Sequence, residues 1–457
     1  MFLIDTIDHF ISGDWGEETL TAESPKATYC VRGADINNVN AHSFYGTPLR
    51  YVARSSFDNK QLQAGDIVIE KSGGSPTQST GRTAFISQQC IDELQDVVCS
   101  NFCAAFRVKE NWNSKYVFYY MQHVYNSGVF FNFEGKTSGL RNLQIENAFK
   151  SIPIEHIDKP IQDRIVHMLD KIESLIVLKN AINRNLEQVA HQLYDYWFIQ
   201  FDFPNHEGKP YKSSGGEMVW NEALKRCIPI GWKDCFISDV EADIVTGKTP
   251  STSDETNFGE DIPFVTIDDI RGHYFVFETS RNLSLKGADA QSSKYLPKGS
   301  LFCSCIGTPG VIGFAGTKVQ TNQQINSIRF KHKSNAVFLY YGIKLYFSYA
   351  NAKIGNILPN MSKGEFEKIL IVYPGETIIR KFDDLISPVF NEIEINSQSI
   401  ISLLKMRDEL LPMLLNGQVN CDLSYYHIFF QFLFPADVLQ YTRKSCIFAL
   451  SDNQTKR

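Results

Sequence analysis

The stretch GSLFCSCIGTPG at residues 299–310 has a counterpart in GDIVIEKSGGSP at residues 65–76. Each stretch begins with a glycine, runs through five or six positions typical of a β-strand, and ends in a glycine-containing turn near a proline. The opening glycines, Gly65 and Gly299, are 234 positions apart. Because a structural unit that recurs at a fixed offset indicates an internal repeat, the pair predicts that one chain carries the same strand and turn twice.

Four more pairs of segments follow in the same order and extend the repeat to whole domains. Their offset falls slowly from 234 to about 217, as insertions and deletions in loops would make it fall. Each half should therefore hold short strands, polar turns and one amphipathic helix. The matched segments are CVRGADI (30–36) with FVTIDDI (264–270), CAAFRV (103–108) with INSIRF (325–330), YVFYYMQHVYNSGVF (116–130) with AVFLYYGIKLYFSYA (336–350), and GLRNLQIENAFKSIPI (139–154) with ILPNMSKGEFEKILIV (357–372).

A long helix is predicted after each domain, at 159–198 and 377–417, because apolar residues recur at steps of three and four. This rhythm, over a length of roughly 60 Å, predicts an antiparallel coiled coil. The alternative is two ordinary amphipathic helices in separate domains. Pro388 and Pro412 are expected to interrupt the second helix. The positions assigned to the pairing face are Ile165, Leu169, Ile172, Ile176, Leu186, Leu193, Phe382, Ile386, Val389, Ile393, Leu403 and Leu410.

The sequence thus predicts an α+β fold in which two mixed α/β globular domains alternate with two long α-helices. A chain of 457 residues also exceeds one ordinary hydrophobic core, which agrees with several domains. The predicted segments are a first globular domain at 1–157, a first long helix at 158–200, a connector at 201–232, a second globular domain at 233–374, a second long helix at 375–418, and an atypical C-terminal tail at 419–457.

The composition is typical of a cytoplasmic protein with well-filled cores. Apolar residues make up 43% of the chain, and the formal net charge of −6 argues against a uniformly basic nucleic-acid coat but permits a local basic face. The ten cysteines include no CxxC pair, so we expect reduced thiols and no metal site. No apolar run reaches the ~18 residues of a membrane span, and the first residues carry acids where a signal peptide needs Lys or Arg.

A basic segment at 286–355 is the strongest sign of nucleic-acid binding. It holds nine Lys or Arg residues and one acid, Asp289. Cations on one face neutralise phosphates, and amides such as those of QTNQQINS (320–327) can read adenine edges. The alternative is a solvated basic face whose amides only cap turns. The candidate DNA-binding residues lie in loops of both halves: Lys71, Arg82, Lys136, Arg141, Asn142, Lys248, Thr249, Lys318, Asn322, Gln323, Asn326, Lys353 and Asn356.

No catalytic signature accompanies these loops. The segment TGKTPS at 246–251 lacks the upstream glycine and the spacing of a phosphate-binding loop. Nucleophile-elbow, zinc-protease, methyl-donor and amide-methylating motifs are also missing from the sequence. We therefore expect no catalytic residues in this chain.

Several of these stretches, in order, resemble the specificity subunit of type I restriction–modification systems. GWKDCFISDVEADIVTGKTPS (231–251) looks like the opening of a target recognition domain, and IPFVTIDDI (262–270) looks like the strand and polar pair that follow. GSLFCSCIGTPGVIGFAG (299–316) is similar to the next strand and glycine turn, and MRDELLPMLLNGQV (406–419) to the end of the second helix. The resemblance covers about residues 1–420.

The resemblance implies a non-catalytic DNA specificity subunit of a type I site-specific deoxyribonuclease and adenine-DNA methyltransferase complex. Each globular domain would read one half of a bipartite target in double-stranded DNA. The paired helices would set the spacing and dock two methyltransferase subunits, and motor-nuclease subunits would complete the complex. The methyl donor, ATP and Mg²⁺ would be used by the partners, with no cofactor in this chain. The alternative is a non-catalytic scaffold whose two α/β modules on a coiled coil bind proteins.

Overall fold

The polypeptide divides into two units, and each is described by itself. The structure is a computed structural model that describes residues 1–73, 78–137, 140–354 and 360–415. The first unit comprises Met1–Leu175 together with the chain from Leu404 onward, and the second comprises Ile176–Leu403. The tail predicted at 419–457 lies outside the described residues.

The first unit begins with short strands and helices whose lengths agree with the alternation of apolar residues and polar turns. The strands are β1 (Ile7–Ser12), β2 (Lys26–Val31), β3 (Leu49–Val52), β4 (Ile67–Glu70), β5 (Ser72–Gly73), β6 (Thr83–Phe85), β7 (Val97–Cys99), β8 (Cys103–Val108), β9 (Glu134–Thr137) and β10 (Leu140–Leu143). The short helices are α1 (Ile36–Asn40), α2 (Arg54–Lys60), α3 (Gln88–Leu94), α4 (Ser114–Asn126) and α5 (Ile145–Ser151).

Two long helices, α6 (Lys159–Tyr194) and α12 (Glu376–Leu415), each have residues in both units. The strands of the second unit are β11 (Met218–Asn221), β12 (Arg226–Pro229), β13 (Lys233–Phe236), β14 (Ile244–Thr246), β15 (Phe258–Gly259), β16 (Ile262–Val265), β17 (Phe275–Val276), β18 (Asn282–Leu283), β19 (Leu301–Ser304), β20 (Ile312–Ala315), β21 (Gln320–Thr321), β22 (Ile325–Ile328) and β23 (Leu370–Tyr373). Its short helices are α7 (Ile237–Val240), α8 (Ile267–Ile270), α9 (Leu285–Asp289), α10 (Asn335–Ile354) and α11 (Lys363–Glu367).

The central sheets of the two units have the same topology. The strand order is β1-β8-β4-β6 in the first and β14-β22-β19-β20-β17 in the second, and the first four strands of each are antiparallel. Strands β4 and β19 are the strand portions of the two stretches that open the sequence analysis, and every residue in both is buried. The predicted repeat is therefore confirmed for four strands of each central sheet, and β17 is an additional fifth strand in the second.

The turn after β2 and the turn after β16 repeat the same local hydrogen bond. Asp35 accepts from the backbone N–H of Arg32 at 2.9 Å, and Asp269 accepts from that of Thr266 at 2.8 Å. A carboxylate that satisfies an otherwise unpaired N–H stabilises the start of the short helix that follows. The sequence match between CVRGADI and FVTIDDI thus reflects the same hydrogen-bonded turn at the end of a strand in both units.

Aromatic residues of one helix fill the main core of each unit. In the first unit α4 buries Tyr116 and Tyr119 together with Phe106 of β8. In the second, α10 buries Phe338 and Tyr341. Burial of one large apolar side chain contributes on the order of 2 kcal/mol to the free energy of unfolding. Each of these helices is therefore important for the stability of its own unit.

Contacts along α6 and α12 are those of an antiparallel pair. Within the first unit, Arg407 Nη1 lies 2.8 Å from Glu173 Oε1. Within the second, Lys179 Nζ lies 3.0 Å from Asn396 Oδ1, and the centroids of the Trp197 and Phe382 rings are 5.7 Å apart. Residues later in α6 therefore contact residues earlier in α12.

The expectation that two prolines interrupt the second long helix is wrong. Helix α12 continues through Pro388 and Pro412 without a break. A proline removes one backbone hydrogen bond to the residue four positions earlier. Pro388 faces solvent while Ile386 and Phe390 beside it are buried, so the neighbouring apolar contacts hold the helical path.

The predicted connector at 201–232 contains ordered structure. Strands β11 and β12 form an antiparallel hairpin within it. Phe203 and Trp232 are buried and stack with their ring centroids 4.8 Å apart. These aromatic side chains join the main core of the second unit, so the segment is part of that unit rather than an open linker.

Candidate nucleic-acid interface

Three loops of the second unit meet at one end of its central sheet. Strands β14 and β19 both run antiparallel to β22, so their last residues lie beside the first residues of β22. Thr246 pairs with Asn326 and Ser304 pairs with Ile325. The loops that follow β14 and β19 and the loop that precedes β22 therefore form one surface, which we call the second reading edge.

Backbone and side-chain hydrogen bonds join the loop after β14 to the loop before β22. The Lys248 N–H donates to Thr321 O at 2.9 Å, and the Thr249 hydroxyl donates to Gln323 Oε1 at 2.5 Å. Gly247 allows this approach, because a Cβ there would stand 2.1 Å from Asn322 O. The Gly-Lys-Thr-Pro turn noted in the sequence is thus fixed against the amide-rich segment.

The predicted residues of this edge divide into exposed and buried groups. Lys248 and Gln323 are exposed. Asn322 and Asn326 are buried: Asn322 bonds to Gln324, and Asn326 Oδ1 accepts from the Thr246 hydroxyl at 2.7 Å. The two asparagines therefore hold the loop in shape, whereas Lys248 and Gln323 are exposed to a ligand, Gln323 with its Oε1 already accepting a hydrogen bond from the Thr249 hydroxyl.

The remaining predictions for the second unit fall elsewhere. Lys318 lies near the opposite ends of β19 and β22, and its Nζ sits 3.7 Å from the ring centroid of Tyr295. The structure therefore does not bring Lys318 to the second reading edge. The side chain of Lys353 and the whole of Asn356 lie outside the described residues.

The equivalent edge of the first unit gathers all five candidates predicted there. Lys71 follows β4 and is exposed, and Arg82 precedes β6. Strand β10 places Arg141 and Asn142 beside β5, and β9 places the backbone of Lys136 opposite Arg141. We call this surface the first reading edge. The side chain of Lys136 is outside the described part of the chain.

Two of these arginines are paired with nearly buried carboxylates. Arg82 Nε and Nη2 donate to the two oxygens of Glu70 at 3.0 and 2.7 Å. Arg141 Nη1 lies 2.7 Å from Glu134 Oε2. The hydrogen bond to Glu70 raises the pKa of Arg82 further above its usual value. Both guanidinium groups are already engaged, which suits positioning of the loop better than neutralising a phosphate.

The basic segment at 286–355 is less of a free cationic face than its composition suggests. Where the structure describes side chains, four of its nine cations form ion pairs with acids from other parts of the second unit: Lys286 with Asp254, Lys298 with Glu394, Arg329 with Asp243, and Lys344 with Glu187. The expectation of one concentrated basic surface is therefore only partly met. Lys331 and Lys333 remain exposed.

The residues assigned to the pairing face of the long helices are all shielded from solvent. Leu186, Leu193, Val389 and Leu410 are partly buried against a core. The fully buried members are Ile165, Leu169, Ile172, Ile176, Phe382, Ile386, Ile393 and Leu403. Any subunit that docks on these helices would therefore have to use other positions.

Two groups of residues at the reading edges were not predicted from the sequence. Gln291 is buried, and its Nε2 donates to both Lys248 O and Gln320 Oε1. These two hydrogen bonds hold the turn at Lys248 in place. Asn101 and Phe102 precede β8 in the first unit, where Gln323 and Gln324 precede β22 in the second. The match of CAAFRV to INSIRF would have found the second group if it had been extended two residues toward the N-terminus.

Within the described residues there is neither a metal-binding cluster nor a membrane-spanning helix. No group of three or more His, Cys, Asp or Glu residues is arranged to hold a metal ion. In the same part of the chain, no helix combines the length and apolar character needed to cross a membrane.

Similarity to known proteins extends over most of the chain. A family model described as the type I restriction modification DNA specificity domain matches it twice, at residues 10–188 and 229–405. The chain is similar to the type I restriction enzyme HindI specificity subunit of Haemophilus influenzae, at 30% identity over 324 residues that cover 60% of this chain and 70% of that protein. It is also similar to the type I restriction enzyme MjaIX specificity subunit of Methanocaldococcus jannaschii, at 25% identity over 281 residues, 60% of this chain and 62% of that protein.

A solved structure also matches. It is described as the crystal structure of a type I restriction-modification system S subunit from M. genitalium, with a TM-score of 0.47 and 12% sequence identity over 91% of this chain and 95% of that chain.

Proposed function

The chain belongs to the family of type I restriction modification DNA specificity domains, and from this premise we propose that each of its units reads one half of a bipartite target in double-stranded DNA. The chain itself is the DNA specificity subunit of a type I restriction–modification system. Base reading would occur in the major groove through the two reading edges, which present equivalent loops on equivalent strands.

The observation that carries this proposal is the duplicated edge. Lys71 follows β4 and Lys248 follows β14, which are not equivalent strands, but both lysines are exposed at the equivalent end of their sheets, and no ion pair to either is found among the described side chains. Exposed amides lie beside them, Asn101 in the first unit and Gln323 in the second. Cations suit phosphate contacts and amides suit base edges, so each edge offers the two kinds of contact that sequence-specific binding needs.

We further propose that the long helices set the spacing between half-targets and dock two methyltransferase subunits. Exposed apolar residues on the helices of the second unit support the docking role. Leu178 and Val189 on α6 and Leu385 and Ile395 on α12 are each more than half exposed. Large apolar side chains in this number on long helices are typical of protein interfaces.

In this proposal the chain carries no cofactor. Adenine methylation and the methyl donor would belong to the methyltransferase subunits, and ATP and Mg²⁺ would belong to the motor-nuclease subunits. This chain would contribute recognition and assembly.

The decisive experiment is to co-express the chain with a modification subunit from the same genome and to map methylation across the host DNA. Adenine methylation at a split motif, lost when this chain is omitted, supports the proposal and identifies the target. A stable complex that methylates no split motif contradicts it and favours a protein scaffold.

Docking can be tested in the same complex by co-purification. Leu385→Asp with Ile395→Asp should weaken binding of the modification subunit at least tenfold, because each residue loses roughly 1.5–3 kcal/mol of apolar burial. Leu285→Asp is the matched control, since Leu285 is equally exposed but lies on the short helix α9. Equal recovery of partner with the double variant and the control would exclude this docking face.

A further inference from the structure

The loops that lead into β8 and β22 have the same backbone arrangement. The Ser100 N–H donates to Val31 O at 2.9 Å, and the Asn322 N–H donates to Val265 O at 3.1 Å. Each loop then closes with a bond from the first residue of the strand to the residue three positions earlier. Asn101 and Phe102 therefore occupy the places that Gln323 and Gln324 occupy in the other unit.

The surface chemistry of the two loops differs at the second place. Gln324 is an amide whose Oε1 accepts a hydrogen bond from Asn322, whereas Phe102 is a phenyl ring with 58% of its surface exposed. The backbone of Phe102 is held firmly, because its carbonyl accepts from the N–H groups of Lys71 and Ser72 at 2.8 and 3.0 Å. The ring is thus presented from a fixed position.

A single exposed aromatic side chain is ordinary in a folded protein. Phe102 differs because its place on the first reading edge corresponds to an amide on the second, and because exposed Lys71 is hydrogen-bonded to its carbonyl. The nearby cations of Arg82 and Arg141 are occupied by Glu70 and Glu134. Among the described side chains, the exposed groups of this edge thus include the cation of Lys71, the amide of Asn101 and the apolar ring of Phe102.

We propose that Phe102 reads a thymine in the first half-target through apolar contact with the C5-methyl group, whereas Gln323 reads an adenine in the second half-target. The inference rests on the proposed function. A phenyl ring has no hydrogen-bonding group, and the thymine methyl is the apolar feature that the major groove presents. Insertion of an aromatic wedge between base pairs is a device of minor-groove binding and is not needed at a major-groove edge. The two half-targets are thus read by different chemistry on the same loop.

The test uses the assembled complex of this chain with its modification subunits, after methylation mapping has given the target. Wild-type complex should bind a duplex with deoxyuridine in place of the contacted thymine about fourfold more weakly than the thymine duplex, because one methyl contact is lost. Phe102→Ala should bind the two duplexes equally and should methylate genomic sites that are degenerate at that one position. Phe102→Leu, which keeps an apolar side chain, should retain part of the preference.

Gln323→Ala is the matched control in the other unit. It should relax one position in the second half-target and leave the sensitivity to deoxyuridine intact. Phe102→Ala with an unchanged methylation motif, or a wild-type complex that is insensitive to deoxyuridine at every thymine of the first half, overturns the inference. A wild-type complex with no split motif overturns the proposed function instead, so the two failures are distinguishable.

Discussion

Glu70 shows how one residue determines the form of the first reading edge. Its side chain is 5% exposed and forms a bidentate pair with Arg82, which is 24% exposed. It also fills the space beside Gly33 and Gly73, where a Cβ would stand 2.8 and 2.6 Å from Glu70 Oε1. The carboxylate thus ties the end of β4 to β6 and to the turn after β2.

Arg82→Ala should destabilise the first unit by about 3 kcal/mol, because it leaves a buried carboxylate without its partner. Hydrogen exchange of the β4 and β6 amides in the purified complex measures this loss. Glu70→Leu combined with Arg82→Met should cost much less, since no unpaired charge remains. If Arg82→Ala weakens DNA binding while β4 exchanges as in the wild type, Arg82 contacts DNA and its structural role is excluded.

The sequence could identify Arg82 as a cation in a loop but could not show that it is engaged. Its partner lies 12 residues away on another strand, and the partner of Lys344 lies 157 residues away. Ion pairs of this kind depend on tertiary packing, which a local pattern does not contain. For the same reason the composition of 286–355 overstated its free positive charge, whereas the assignment of Lys248 and Gln323 to loops rested on local turn signals and agrees with the structure.

At the scale of elements, a polar layer interrupts the apolar contacts between α6 and α12 in the second unit. Asn183 and Asn396 are 4% and 3% exposed, and each leaves one amide atom without a hydrogen-bond partner within the described residues. Lys179 and Asn396 face each other although they are 217 positions apart, which is the offset of the helical repeat. Buried polar residues at such positions lower stability and fix the register of paired helices.

Asn183→Leu combined with Asn396→Leu, both made in a Lys179→Met background, should raise the free energy of unfolding of the second unit by roughly 1 kcal/mol or more relative to Lys179→Met alone. Two unsatisfied groups are then removed, and no charged partner of Asn396 is left behind. Urea unfolding of the complex measures the change. Asn180→Leu is the control, since Asn180 is on the same helix but exposed, and it should have little effect. A lower stability of the double variant would show that the layer is satisfied in solution.

The charge of Lys179 makes this layer sensitive to pH. Burial lowers the pKa of Lys179 below its usual 10.5. The folded state therefore disfavours the charged form, and this penalty is present at neutral pH and disappears as the pH rises to the unfolded value. Wild-type protein should gain stability relative to Lys179→Met as the pH rises from neutral toward the usual pKa of 10.5. A constant difference between the two proteins over that range would contradict the lowered pKa.

The long helices were predictable because their apolar rhythm is local and sustained over many turns. The apolar rhythm of α6 is broken by a longer step from Ile176 to Ile182. This break coincides with the polar layer at Lys179, although the pattern could not reveal the partner of Lys179 on α12. The continuity of α12 at Pro388 could not be read from the sequence, because it depends on buried neighbours rather than on the proline itself.

For the whole molecule, the repeat predicted that both globular domains hold the same succession of elements, but the order of the strands in the central sheets is seen only in the structure. The repeat also extends further than the sequence analysis recognised. Phe2 donates its backbone N–H to Asp5 at 2.8 Å, and Phe236 donates to Asp239 at 2.8 Å, with the same offset of 234 as the opening glycines. A match over so few residues is not distinguishable from chance in the sequence alone, and it becomes evident only from the shared hydrogen bonds.

Two equivalent reading edges lead to a quantitative expectation for DNA binding by the whole complex. Each exposed lysine that neutralises a phosphate releases condensed counterions, which steepens the fall of affinity with salt by about one unit of log–log slope. Lys71→Ala and Lys248→Ala should each reduce the slope by about one and the double variant by about two, because the lysines lie in different units and share no partner. Fluorescence anisotropy on the mapped target over a series of salt concentrations measures the slopes.

Lys150→Ala, which removes an exposed lysine paired with Glu146 on α5, should leave the slope unchanged. If Lys71→Ala and Lys248→Ala behave like this control, the reading edges do not face the phosphate backbone.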